Sequence, residues 1–376
     1  MSSFIHYRNY GRLFKVYGRS LWKYGSAGKI LNALRTEWAY RRRTPLVRSY
    51  PYILFLEPLY YCNLDCPLCD RQIFPDARKN SAGKLSLELF DRLLDEAGKY
   101  LFQCQIFGQG EPLLDWPRSK YIIERCHARR IFTLMSTNCT LVTEKMAAEV
   151  VASGLDHLVV AIDGITQESY EKYRVRGQVA DALSGMRLFV EEKRRQRSAM
   201  QIEWQFLVNK YNHGEMARAR EIAAELGVTL RFAPIRGMEF DPALQEEWLA
   251  PEPEFRAAKV AEGETVFAWP CYFLWRSLVL NSNGQAARCL IYQNVAEYGS
   301  LEGRTVKDLY NDPTMQRARQ LFRKGPVPPG PFPTPCASCS FYQRHHGGTN
   351  QTKAGSLVAD AGGRRVSLPL AAVAER

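Results

Sequence analysis

Six apolar runs of strand length, separated by five amphipathic stretches of helical length, fill residues 52–236 and leave this chain few ways to fold. The runs are Tyr52–Leu59, Cys104–Gly108, Ile131–Ser136, His157–Ile162, Ile202–Val208 and Thr229–Pro234. Between them lie Ser86–Lys99, Trp116–Arg129, Thr143–Ser153, Asp181–Arg194 and His213–Leu226. Ser86 and Thr143 stand where N-caps belong, and Gly154 and Gly227 where C-terminal glycines belong. Such alternation predicts an α/β parallel sheet joined by right-handed crossovers. Six units, not the eight of a closed barrel, predict a partial (β/α)6 barrel whose function gathers in loops after the strands' C-terminal ends.

Cysteine supplies the chemistry. No run of eighteen apolar residues exists, and Arg8, Arg12, Lys15 and Arg19 interrupt any signal-like stretch, so a cytoplasmic chain is expected. Ten cysteines in that setting read as ligands or free thiols rather than as a disulfide framework. Cys62, Cys66 and Cys69 follow directly on the first run and offer three thiolates within one loop. Three ligands suit a cubane iron–sulfur cluster with one iron left open, or a zinc knuckle completed by a distant residue.

C-x3-C-x2-C after the first strand of six β/α units resembles the radical S-adenosylmethionine (SAM) superfamily, with Leu68 where an aromatic residue is common. The resemblance covers residues 50–240 and extends to the ends of three further strands. Gly108-Gln109-Gly110-Glu111-Pro112 resembles the family's Gly-Gly-Glu-Pro segment, which implies a carboxylate, Glu111, near the SAM ammonium. Ser136-Thr137-Asn138-Cys139 resembles Ser-Thr-Asn-Gly, with Cys139 in place of glycine. Asp163-Gly164, followed by Tyr170-Glu171-Lys172-Tyr173-Arg174, resembles the segment from which an arginine helps to hold SAM, although Ala161 replaces the usual serine. The resemblance thus implies SAM contacts from Gly108, Gly110, Glu111, Ser136, Asn138, Asp163 and Arg174. It also implies a [4Fe–4S] cluster on Cys62, Cys66 and Cys69, and a reductase such as flavodoxin or ferredoxin. Reductive cleavage of SAM would then yield a 5′-deoxyadenosyl radical that abstracts hydrogen from substrate.

A second cysteine group lies downstream. Ser277 to Cys289 reads as a hairpin around an Asn283-Gly284 turn, which brings Cys271 and Cys289 together at its open end. Cys336 and Cys339 can close a four-thiolate site, for which zinc and iron–sulfur are both chemically suitable. C-x12-G-x4-C after such a core resembles the start of a SPASM or twitch domain, and four cysteines match one auxiliary cluster of the twitch type. His345 and His346 read as surface residues. The expected division is a basic aromatic extension (1–49), the core (50–240), a linker (241–269), the twitch-like unit (270–345) and a tail (346–376).

Charge completes the outline. Residues 1–50 carry eleven basic side chains against one acid, Glu37, whereas the whole chain has a net charge of +12. A nucleic-acid-coating protein would spread that charge over the fold, so no nucleic-acid partner is expected. The basic residues interleave with Tyr24, Ile30, Leu31, Leu34 and others. This suits peripheral contact with the inner face of a membrane, or a helical pair packed on the barrel's open side. A fully cysteine-ligated auxiliary cluster favours electron transfer, hence oxidation or remodelling of a sugar-like, aminocyclitol or lipid-linked alcohol. A peptide maturase of the same superfamily, and a non-catalytic iron–sulfur or zinc protein, are the competing readings. Arg236, Glu203, Gln205 and Glu239 are the residues near late strand ends from which a substrate base could come.

Overall fold

The computed structural model describes residues 18–73, 83–235, 246–255, 271, 273–290 and 297–323, with short pieces from 334 onward. Arg236, Glu239, His345 and His346 lie outside the described residues.

The six expected strands form with shifts of only a few residues at their ends. They are β1 (Ile53–Leu56), β2 (Gln103–Ile106), β3 (Phe132–Thr137), β4 (His157–Ala161), β5 (Gln201–Val208) and β6 (Thr229–Pro234). All pair in parallel with their sequence neighbours. Apart from single turns, the connecting helices are α3 (Leu87–Ala97), α4 (Trp116–Ala128), α5 (Glu144–Ala152), α6 (Gln167–Tyr173), α7 (Val179–Arg195) and α8 (Met216–Leu226). They follow α1 (Arg19–Tyr24) and α2 (Ala27–Arg42) of the basic segment. Ser86 and Thr143 do cap: their hydroxyls accept from Leu89 N and Met146 N. Gly154 and Gly227 adopt φ of 86° and 69°, the left-handed conformation that stops α5 and α8.

The sheet does not end at β1. β7 (Ser277–Leu280) lies parallel to it, Ile53 opposite Ser277, and β8 (Gln285–Ala287) and β9 (Glu297–Ser300) continue antiparallel. The order is β6-β5-β4-β3-β2-β1-β7-β8-β9, an open nine-stranded sheet in a partial-barrel α/β fold. The Asn283-Gly284 hairpin turn is present, with Gly284 at φ 75°. The hairpin therefore extends the barrel's own sheet.

Side-chain alternation divides the sheet into two faces. Leu54, Leu56, Leu158, Val160, Trp204 and Phe206 lie on the helix side and are fully buried. Register puts Gln105, Ser136, Glu203, Gln205 and Arg231 together on the lumen side. There Arg231 donates to Glu203 at 2.7 Å and to Gln205, and His157 lies 3.7 Å from Glu203. Glu203 and Gln205 are thus in the middle of β5, inside the lumen, and not at its C-terminal end.

The basic segment also departs from expectation. α1 and α2 do not close the barrel's open side but lie across residues that precede strands. Lys23 and Tyr24 bond Asp156, just before β4, and Lys29 bonds the carbonyl of Arg130, before β3. Asn32 bonds the backbone of Tyr50, before β1, and Glu37 pairs with Arg276, before β7. The two helices cap the N-terminal ends of the strands.

Candidate active site

The loop after β1 carries Cys62, Cys66 and Cys69 at the C-terminal end of the sheet. Cys66, Leu64 and Leu68 pack with Tyr173, Leu207 at the end of β5, Ala233 and Ile235 at β6, and Trp248. Trp248 belongs to the expected linker, yet it stands edge-on to Tyr173 and Tyr211 over this loop. The three sulfurs therefore sit in an apolar shell. Burial, with Glu111 behind it, pushes the Cys62 thiol up to about 11. Burial and the adjacent Cys66 push Cys69 up to about 12. Burial raises Cys66 too, against the pull of Arg174.

Polar donors nonetheless aim at these sulfurs. Arg174 Nη1 reaches Cys66 Sγ at 3.7 Å, Asn138 Nδ2 reaches Cys62 Sγ at 3.9 Å, and Leu64 N reaches Cys62 Sγ at 3.5 Å. Three thiols, Cys66 buried and Cys62 and Cys69 partly buried, that are costly to ionise alone yet are met by hydrogen-bond donors, fit a site whose charge a metal group balances. Among the described residues, no group of three or more His, Cys, Asp or Glu side chains converges as a single ion requires. A cubane places its cysteine ligands on different irons and spreads them further.

The other expected residues converge here, in roles the sequence did not specify. Glu111 is buried and accepts from Leu113 N, Thr137 Oγ1 and Asn138 N at 3.1, 2.7 and 2.8 Å. Its carboxylate thus organises the β2 and β3 loops, and burial raises its pKa against those bonds. Asn138 donates to Asn63 at 2.9 Å and so ties the β3 loop to the cysteine loop. Arg174 already has protein partners. Asp163, fully buried, grips its Nε at 2.7 Å and its Nη2 at 2.5 Å and accepts from Leu207 N at 2.6 Å. Ser136 is partly exposed on the lumen face. Cys139 holds φ 65°, the conformation for which a glycine is suited.

Gly108 and Gly110 serve close backbone approach. A Cβ on Gly110 would stand 2.1 Å from the Leu59 carbonyl oxygen, and one on Gly108 2.5 Å from Glu57 Cγ. Glu57, just beyond β1, escaped the sequence reading. Its carboxylate, almost fully buried, accepts from Gln109 N at 3.0 Å, Ser282 N at 3.0 Å and Ser282 Oγ at 2.8 Å. It clamps the β2 loop to the β7–β8 turn. A lone acid at the end of an apolar run was the available signal.

Cys271, Cys289, Cys336 and Cys339 are each partly buried against the main core. Burial raises the Cys271 thiol well above its ordinary value, and the other three thiols raise it further, which places all four in one neighbourhood. The Cys336 N–H donates to Thr334 Oγ1, and the Cys339 N–H to the Cys336 carbonyl, in a tight turn.

The chain is similar to known proteins over its sheet and helices. Residues 56–200 match the family model of the Radical SAM superfamily. The PqqA peptide cyclase of Granulibacter bethesdensis is 25% identical over 182 residues, 48% of this chain and 46% of that protein. The mycofactocin maturase MftC of Mycolicibacterium smegmatis is 25% identical over 192 residues, 50% of this chain and 45% of that protein. The chain thus spans about half the length of these relatives. Streptococcus suis SuiB, bound to its precursor peptide SuiA, shares the fold with a TM-score of 0.56 at 15% identity, over 76% of this chain and 70% of that one.

Proposed function

We propose, from the match of residues 56–200 to the Radical SAM superfamily, an enzyme that cleaves SAM reductively and abstracts hydrogen from a peptide substrate. The observation that carries the reading is the buried cysteine loop with donors from Arg174, Asn138 and Leu64 aimed at its sulfurs. Cys62, Cys66 and Cys69 would hold a [4Fe–4S] cluster, which with SAM supplies one-electron reductive cleavage. The chain's own part is to exclude water, through Leu64, Leu68, Tyr173 and Trp248, and to set the charge around the sulfurs. Ser136 and the Gly108–Gly110 backbone border the place SAM would take. Cys271, Cys289, Cys336 and Cys339 would hold an auxiliary cluster and pass the substrate's electron onward.

A peptide is favoured over a sugar-like or lipid-linked alcohol for two reasons. PqqA peptide cyclase and MftC are named for peptide and maturation chemistry. A lipid-linked alcohol would be presented at a membrane that the basic segment contacts, and α1 and α2 lie at the opposite end of the strands from the cysteine loop. The lumen offers polar capacity instead: both side-chain polar atoms of Gln103 and the Oε1 of Gln105 are buried without a hydrogen-bond partner.

Anaerobic reconstitution tests the reading. About eight irons per chain and dithionite-dependent 5′-deoxyadenosine are expected; a colourless zinc protein overturns it. Cys66→Ala should abolish SAM cleavage, and Cys336→Ala should keep cleavage while losing turnover. Deuterium passing from a labelled precursor peptide into 5′-deoxyadenosine supports a peptide; transfer from a labelled sugar alcohol alone rejects it.

A further inference from the structure

We propose that α1 and α2 form a docking face for an anionic lipid bilayer, at the end of the barrel opposite the cysteine loop. The proposal stands independently of the reaction assigned above.

α2 buries polar side chains along with Ala39 and Tyr40, and leaves large apolar ones exposed. Its inward side chains include Lys29, Asn32 and Thr36, 3%, 4% and 0% exposed. Each is satisfied: Lys29 by the Arg130 carbonyl at 2.6 Å, Asn32 by the Tyr50 backbone, and Thr36 by Ser49 at 2.7 Å. Its exposed side chains include Ile30, Leu31, Leu34 and Trp38, with Leu34 62% and Trp38 57% exposed, beside Arg35, Arg41 and Arg42. At 100° per residue, positions 31, 34 and 38 fall on one stripe, with Arg35 and Arg42 along its edge. A helix on a water-soluble surface presents few large apolar side chains outward, and this one presents four among its arginines.

The apolar excess is local. Among the described residues ten large apolar side chains are exposed, and seven of them (Leu21, Trp22, Ile30, Leu31, Leu34, Trp38 and Leu46) fall between residues 21 and 46. A concentration of that kind marks an interaction surface. Trp22 is 93% exposed, and such indole rings favour the headgroup level of a bilayer.

Charge selects the occupant. Arg35, Arg41, Arg42 and Arg48 are exposed, and the Arg42 guanidinium lies over the Trp38 ring at 4.7 Å. The segment's single acid, Glu37, is only partly exposed and is neutralised by Arg276 at 2.5 Å. The surface of residues 21–48 therefore carries no unpaired carboxylate. A second copy of this chain would oppose arginine with arginine across a two-fold axis. An anionic bilayer satisfies both features, accepting the apolar stripe and pairing with the basic edge. Among the described residues no helix is long and apolar enough to cross a membrane, so these helices would lie in its interface.

The test uses the full reconstituted chain in flotation with vesicles of phosphatidylcholine, alone or with about 30% phosphatidylglycerol. Binding is expected only with the anionic lipid and should weaken in about 0.5 M salt. Leu34→Gln/Trp38→Gln should lower affinity at least about tenfold. Arg35→Gln and Arg42→Gln should each lower it about fivefold. Iron content and SAM cleavage should stay unchanged in all three. Failure of the intact chain to float, or equal flotation of the Leu34/Trp38 variant, overturns the proposal. So does a dimer that this variant dissociates without any vesicle binding, which would assign the face to a second copy. A photo-crosslinker at position 34 that labels an acidic protein instead of lipid also rejects it.

Discussion

Replacing Glu57 with glutamine changes one atom's chemistry and leaves shape and volume almost untouched. In the native protein one carboxylate oxygen accepts from Gln109 N and the other from Ser282 N and Ser282 Oγ. Glutamine brings one acceptor and one NH2 group. If its oxygen serves Ser282, the NH2 faces the Gln109 N–H; the reverse flip sets it against two donors. Either way a buried donor confronts a donor. Charge-assisted bonds contribute about 1.5–3 kcal/mol each, and an unsatisfied buried donor costs about 1–3 kcal/mol. With some relaxation of the turn, a loss of about 2–4 kcal/mol follows. Urea unfolding followed by far-ultraviolet circular dichroism measures it, with iron per chain as a second readout, because the clamp joins the β2 loop to the hairpin that leads to Cys289. In the glutamine background, Ser282→Ala should cost less than in the wild type by more than about 0.5 kcal/mol. A Glu57→Gln protein within about 0.5 kcal/mol of wild type, with its full iron content, would refute the role given to this residue.

Three further outcomes are expected. Gly110→Ala drives a Cβ to 2.1 Å from the Leu59 oxygen and should cost at least about 2 kcal/mol and reduce bound iron, whereas Gly28→Ala, with nothing within 4 Å, should be neutral or stabilising; denaturation and iron analysis compare them. Asp163→Ala strips the partner from the buried Arg174 guanidinium and should destabilise by about 3–5 kcal/mol, read as a shifted urea midpoint; an unshifted midpoint rejects a buried pair. Burial, helped by Arg130, lowers Lys29 to about 8, below its unfolded value of 10.5. The unfolded chain therefore binds more protons between those values, and stability should rise with pH across that window; Lys29→Met should flatten the rise in a pH series of unfolding curves.

The strands were legible because each is a short apolar run bounded by turn residues, and local pattern suffices for that. α6 was not. Gln167–Tyr173 is a seven-residue helix with three buried side chains, held by the Thr166 cap and by Glu215 from a distant segment. The cysteine ligand sets were legible from spacing, whereas the bonds of Glu111 and Arg174 were not. Both were expected to face a ligand, and both are engaged by protein groups that converge only in the fold. The position of α2 was hidden for a different reason. Reading an amphipathic helix assumes that its apolar stripe turns inward, and this helix buries lysine, asparagine and threonine along with Ala39 and Tyr40. Glu57 acts across the β1–β7 pairing, a contact no local pattern encodes.

That pairing has a consequence for synthesis. Ile53 and Ser277 are partners 224 positions apart, so β1 leaves the ribosome long before the strand that covers its second edge. At about 5–20 residues per second the delay is on the order of 10–45 s. During it, the fully apolar Ile53–Leu56 edge has unpaired backbone groups and invites pairing with another chain. A nascent chain stalled before Ser277, or a gene cut there, would carry that edge permanently. Once made, β7 covers that edge and removes the aggregation hazard from the finished barrel, a duty separate from anything the downstream cysteines do.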